Sequence, residues 1–64
     1  MCTAVFLAQD EISAEELKEL FLTNGIIVKI KPIINKENNI KSFEFYVPSA
    51  ELNYALDLII DFQE

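Results

Sequence analysis

Lys29, Lys31 and Tyr46 are the residues of this chain whose types and spacing best suit a ligand. Two ammonium groups two positions apart on a strand share one face. A phenol beside them adds a hydroxyl donor, so the set suits a small anion or an acidic peptide. Catalytic chemistry has less to work with. The sequence holds no histidine and one cysteine, Cys2. Asp10-Glu11 and Glu15-Glu16 are adjacent carboxylates, but neighbours on a helix point apart, and general acid–base work needs groups held in one pocket. There is no nucleophile with a base and no glycine-rich phosphate loop, so no catalytic residue, metal ligand or cofactor site is assigned and the chain is read as a non-enzyme.

The elements that position these side chains follow from periodicity. Thr3–Ala8 is a short apolar run rich in strand formers, expected to be a strand covered on both faces. Ser13-Ala14-Glu15-Glu16 reads as a capping box with Ser13 as the N-cap, and Ile12 and Leu17 stand at the positions of a hydrophobic staple. The helix that follows buries Leu17, Leu20 and Phe21 and ends at Asn24-Gly25, where glycine takes the left-handed conformation. From 26 to 33, Ile26, Val28 and Ile30 alternate with Ile27, Lys29 and Lys31, the pattern of a half-buried strand. Pro32 marks an edge or an end, because it has no ladder donor. The glycine-free loop Asn35–Asn39 leads to a third strand, Ile40–Val47. Pro48 then breaks the strand, and Ser49 is the expected N-cap of a second helix. Its stripe of Leu52, Ala55, Leu56 and Ile59 is widened by Leu58, Ile60 and Phe62 to an arc of roughly 200°. Asn53, Asp57 and Asp61 are left on a narrow polar face.

The order is βαββα. A right-handed crossover makes the first two strands parallel, and the third fits between them, antiparallel to both. The expected fold is α+β: one ferredoxin-like domain over residues 1–64, a three-stranded sheet of order 1-3-2 with two helices on one face. The first strand then has an open, apolar edge, a hazard unless covered. A chain of 64 residues buries only about 60% of its unfolded surface. Its single cysteine rules out an internal disulfide, while 52% of its residues are hydrophobic. A partner subunit is the expected support, with Val5, Phe6, Leu7, Leu58 and Phe62 as the interface of a homodimer or higher homo-oligomer.

Charge narrows the partners. The net charge of −6 repels phosphate backbones and anionic membranes. No apolar run approaches the roughly 18 residues of a membrane span and no secretory signal is read, so a cytoplasmic protein is expected. Five of the eleven acids lie between 10 and 19, and four of the five basic residues between 29 and 41. The helix side is therefore acidic and the sheet side basic. That split permits a basic face to meet the acidic surface of another copy. It also allows a reading as an acidic mimic of nucleic acid that inhibits a basic protein.

The stretch Lys41-Ser42-Phe43-Glu44-Phe45-Tyr46 resembles the third strand of an RNA-recognition motif, which shares the βαββα order. In that family the aromatics face solvent and the residue between them faces inward. Here that residue is Glu44, and burying an unpartnered carboxylate costs several kcal/mol. Phe43, Phe45 and Val47 are therefore expected on the helix side, and Ser42, Glu44 and Tyr46 on the other with Lys29 and Lys31. Nucleic-acid binding is thus the lesser alternative.

The segments "AEELKELFLTNGIIVKIKP" and "VPSAELNYALDLI" resemble a family of short prokaryotic signal-transducing proteins of unknown function. Asn24-Gly25, Val47-Pro48 with Glu51, and Ala55-Leu56 carry the likeness, which departs in the polar loop "INKENNIKS". The resemblance implies a ferredoxin-like, PII-like fold and a regulatory or interaction role in a bacterial cell. It carries over no catalytic residue. The function expected is a small non-catalytic module that self-associates and binds a protein partner or a small anion.

Overall fold

The computed structural model describes residues 1–63. The chain runs β1 (Cys2–Ala8), α1 (Glu11–Thr23), β2 (Lys29–Asn35), β3 (Ile40–Pro48), a 3-10 turn (Ser49–Glu51) and α2 (Leu52–Gln63). The sheet has the expected order β1-β3-β2, with β3 antiparallel to both neighbours. It is an α+β, ferredoxin-like arrangement in two layers.

Strand parity decides the core. Phe45 is 0% exposed, Val47 is buried and Phe43 is half-buried against the same cluster. Opposite Phe45 stand Phe6 of β1 and Ile30 of β2. The Phe45 ring meets the rings of Phe6 and Phe21 edge-on, at centroid distances of 6.3 and 6.2 Å, the arrangement that the aromatic quadrupole favours. Leu17 and Phe21 of α1 and Ala55 and Ile59 of α2 close the cluster from above. Both rings of the "FEF" motif therefore point to the helices, because the alternative exposes them and buries Glu44.

The first helix begins three residues before the position expected. Asp10, not Ser13, is the N-cap: its Oδ1 accepts from the Ser13 amide at 2.7 Å, and Ser13 Oγ donates to Oδ2 at 3.1 Å. The carboxylate satisfies an orphan amide and sits at the positive end of the helix dipole, which favours it over a hydroxyl. Ile12 is thereby inside the helix and 74% exposed, so no staple joins it to Leu17. At the other end Gly25, at φ 77°, closes a Schellman motif, with Ile26 N–H donating to the Phe21 carbonyl at 2.9 Å and Gly25 N–H to that of Leu22 at 3.1 Å. Ile26 is buried as the apolar partner of this cap, and β2 starts only at Lys29.

Further differences are local. Ser49 does not cap α2 directly; a 3-10 turn intervenes, and its hydroxyl shares a 2.9 Å hydrogen bond with that of Thr3. The Ser49 amide donates to the Met1 carbonyl at 2.8 Å, which ties the start of β1 to the end of β3. Val5 is an extra residue in β1, between the Ala4–Tyr46 and Phe6–Phe45 pairs. Such a bulge adds twist to an edge strand. Asn39 turns the hairpin at φ 59° without a glycine. Asparagine tolerates that region, and the Asn35 and Asn38 side chains accept from the Glu37 and Ile40 amides.

The two cap assignments for α1 separate cleanly by mutation. Asp10→Ala is expected to lower stability by about 1 kcal/mol, whereas Ser13→Ala stays within about 0.5 kcal/mol. Urea unfolding followed by circular dichroism reads both; the reverse ranking would restore Ser13 as the cap.

Candidate functional site

Among the described residues both helices pack on the inner cluster and none lies over the outer face of the sheet. Its rows read straight across the register: Leu7, Glu44 and Lys31 in one, Ala4, Tyr46 and Lys29 in the next. Lys29, Lys31 and Tyr46 do come together, with Cys2, around one shallow depression of about 550 Å³. The strand period and the central place of β3 bring them there, as expected from the sequence.

The polar geometry of this face is set by Tyr46. Its hydroxyl donates to Glu44 Oε1 at 2.6 Å, two residues away on the same strand. That hydrogen bond, some burial and the nearby negative charge all favour the neutral phenol and raise its pKa above the ordinary value of 10.0. Tyr46 is therefore a hydroxyl already committed to a carboxylate. Glu44 also stands directly opposite Lys31. A free anion approaching the two lysines meets that carboxylate as well. The face is thus a mixed-charge row flanked by apolar side chains: Leu7 on one side and Ile33 and Ile40 towards the hairpin, each more than a third exposed. Mixed rows of this kind suit a surface carrying the same charges in reverse.

The other residues expected at an interface do not form one patch. Val5, Phe6, Leu58 and Phe62 pack, half-buried, against the core from the helix side, whereas Leu7 lies exposed on the outer face. Phe6 is a core ring, held by Phe45. Leu20 and Phe62 floor a groove between the helices, with Glu16, Glu19 and Asp61 on its rim. The acidic rim belongs to the acidic helix side indicated by the charge distribution, whereas the groove with its apolar floor was not foreseen; Glu16, Glu19, Leu20 and Thr23 recur at three- and four-residue spacing. Tyr54 donates to Asn24 Oδ1 at 3.0 Å while Asn24 Nδ2 donates to the Leu20 carbonyl at 2.8 Å, a clasp between the end of α1 and the start of α2.

Among the described residues no three histidine, cysteine, aspartate or glutamate side chains gather as metal ligands, and no helix is long and apolar enough to cross a membrane. Comparison with protein-family models, curated proteins and solved structures finds no match.

The Tyr46–Glu44 bond has a signed consequence. Because the folded pKa exceeds the unfolded one, its contribution to stability is complete below pH 10 and is lost as pH rises through the folded value. A nuclear magnetic resonance titration should show Tyr46 ionising above 10, and Glu44→Ala should bring the midpoint down. An unchanged midpoint in the variant would show that the carboxylate does not hold the phenol.

Proposed function

We propose that this chain is a small non-catalytic interaction module that self-associates through the uncovered face of its sheet. One observation carries the reading: Leu7, Ile33 and Ile40 stand exposed around a Lys31–Glu44 row on a face that no helix covers. A sheet with one solvated face ordinarily carries polar residues there. Three exposed large aliphatics on so small a sheet mark a contact surface instead.

A second copy suits this face by charge. A two-fold axis lying in the plane of contact sets Lys31 of one copy over Glu44 of the other, and the reverse, so both rows are satisfied at once. Two molecules of net charge −6 repel at long range. The sheet side holds four of the five basic residues and is where that repulsion is weakest. A regulatory role in a bacterial cytoplasm, as the resemblance of the "AEELKELFLTNGIIVKIKP" segment implies, fits a module of this kind. Binding of a small anion at Lys29, Lys31 and Tyr46 is the weaker form of the proposal, because Glu44 offsets one of the two positive charges. RNA binding through the "FEF" rings is disfavoured, since both rings face the helices.

Sedimentation tests the reading. The contact is small, so a dimer with a dissociation constant on the order of 10 μM is expected. Leu7→Glu combined with Ile33→Glu should weaken it at least tenfold while the circular dichroism spectrum is unchanged. A wild-type chain that stays monomeric well beyond that concentration would overturn the reading.

A further inference from the structure

The helix layer is wider than the sheet beneath it. Two packed helices span about 20 Å at roughly 10 Å each. Three strands at about 4.8 Å spacing span about 14 Å, and four would span about 19 Å. One strand's width of helix underside is therefore left over, and the packing shows on which side. α1 lies towards β2: Ala14, Glu15 and Lys18 border Ile30 and Phe43. α2 packs on β1 and β3 and meets α1 through Tyr54 and Phe62. On α2, Leu56 and Ile60 are one turn apart on the flank turned away from α1, about 160° and 120° round from Tyr54 at 100° per residue. They are 39% and 58% exposed. That flank overhangs the free edge of β1.

The two sheet edges are treated differently. β2 carries Lys29, Lys31 and Pro32, the charges and proline that guard an edge against pairing. β1, with the sequence CTAVFLA, carries no charge and no proline. An edge guarded by no charge or proline, only by the bulge at Val5, beneath an apolar overhang fits a strand that is not part of the described chain.

We infer that the β1 edge accepts one bare extended segment of a partner polypeptide, which pairs with β1 and tucks alternate apolar side chains beneath Leu56 and Ile60. The layer geometry excludes a second copy here. Pairing β1 with β1 of another molecule brings that molecule's α2 into the space the first α2 already fills. Only a strand without a helix of its own fits. β1, Leu56 and Ile60 carry no charge, so a charged side chain buried against them would have no partner and the matching strand is apolar at the positions that face them. A seven-residue strand is about 24 Å long and covers on the order of 300–400 Å² of edge and flank, about half the roughly 800 Å² per partner of a standard interface, so the contact is weak and reversible. Strand addition of this type draws affinity from main-chain hydrogen bonds and selectivity from alternate side chains. This site is separate from the outer face, and the inference stands whether or not the chain self-associates.

The test is a titration of the full chain with a synthetic octapeptide of alternating valine and threonine, closed by one lysine and one glutamate, followed by amide chemical shifts and hydrogen exchange. The peptide is expected to shift signals along Cys2–Ala8 and at Leu56 and Ile60, and to slow exchange at alternate β1 amides. The same peptide with its threonines replaced by proline should bind at least tenfold more weakly. Leu56→Ser with Ile60→Ser should weaken binding at least fivefold in a chain whose circular dichroism is unaltered. The inference is overturned by shifts confined to the outer face or to the Leu20–Phe62 groove, by no shifts up to millimolar peptide, or by β1 shifts that neither the proline peptide nor the double variant diminishes. Sedimentation of the free chain reports separately on self-association, so failure of one does not imply failure of the other.

Discussion

A sheet of three strands carrying two helices is the constraint from which the other features follow. Each helix needs about two strand widths of support, and this chain provides one and a half. The core solves most of the problem by concentrating large side chains at the centre: Phe45 of the middle strand meets Phe6 edge-on from β1 and Phe21 edge-on from α1. Leu17, Ile26 and Val47 complete a cluster that, among the described residues, has no buried polar or charged side chain. What the centre gains, the periphery lacks. Leu56 and Ile60 stand exposed on α2, and Leu7, Ile33 and Ile40 look out from the outer sheet face.

Small size sharpens this. A chain of 64 residues buries only about 60% of its unfolded surface, and 52% of its residues are hydrophobic, so part of its apolar surface stays exposed. Native proteins guard exposed strands with charge, proline or a covering element. Here the guard is uneven. Lys29, Lys31 and Pro32 protect one edge, and Lys31 with Glu44 and the Tyr46 hydroxyl makes the outer face partly polar. The β1 edge has none of these three; its one irregularity is the bulge at Val5.

Much of the fold was legible in the sequence because several signals agreed on it. Alternation along Ile40–Val47 placed Phe45 and Glu44 on opposite faces, and the cost of burying the carboxylate chose which face was inner. Asn24-Gly25 marked the end of α1 through its backbone chemistry alone. The same periodicity brought Lys29, Lys31 and Tyr46 to one depression. Signals failed where two local patterns competed or where a distant partner decided. Asp10-x-x-Ser13 and Ser13-x-x-Glu16 are both cap patterns, and the choice fell to the carboxylate at the helix dipole. Ile26 looked like the start of a strand because a Schellman cap also needs an apolar residue there. Ser49 was diverted from capping by Thr3, 46 residues away. The apolar arc of α2 did not say which part of its width would lie off the sheet, since that depends on how many strands lie below.

Residue-by-residue hydrogen exchange of the dilute, monomeric chain tests the central claim most directly. With β3 paired on both sides and β1 on one, the slowest amides should lie in Phe43–Val47, while every second amide of Cys2–Ala8 exchanges almost as fast as in a free peptide. Uniform, strong protection along β1 in the monomer would mean that this edge is already covered, and the picture of a sheet one strand too narrow for its helices would be wrong.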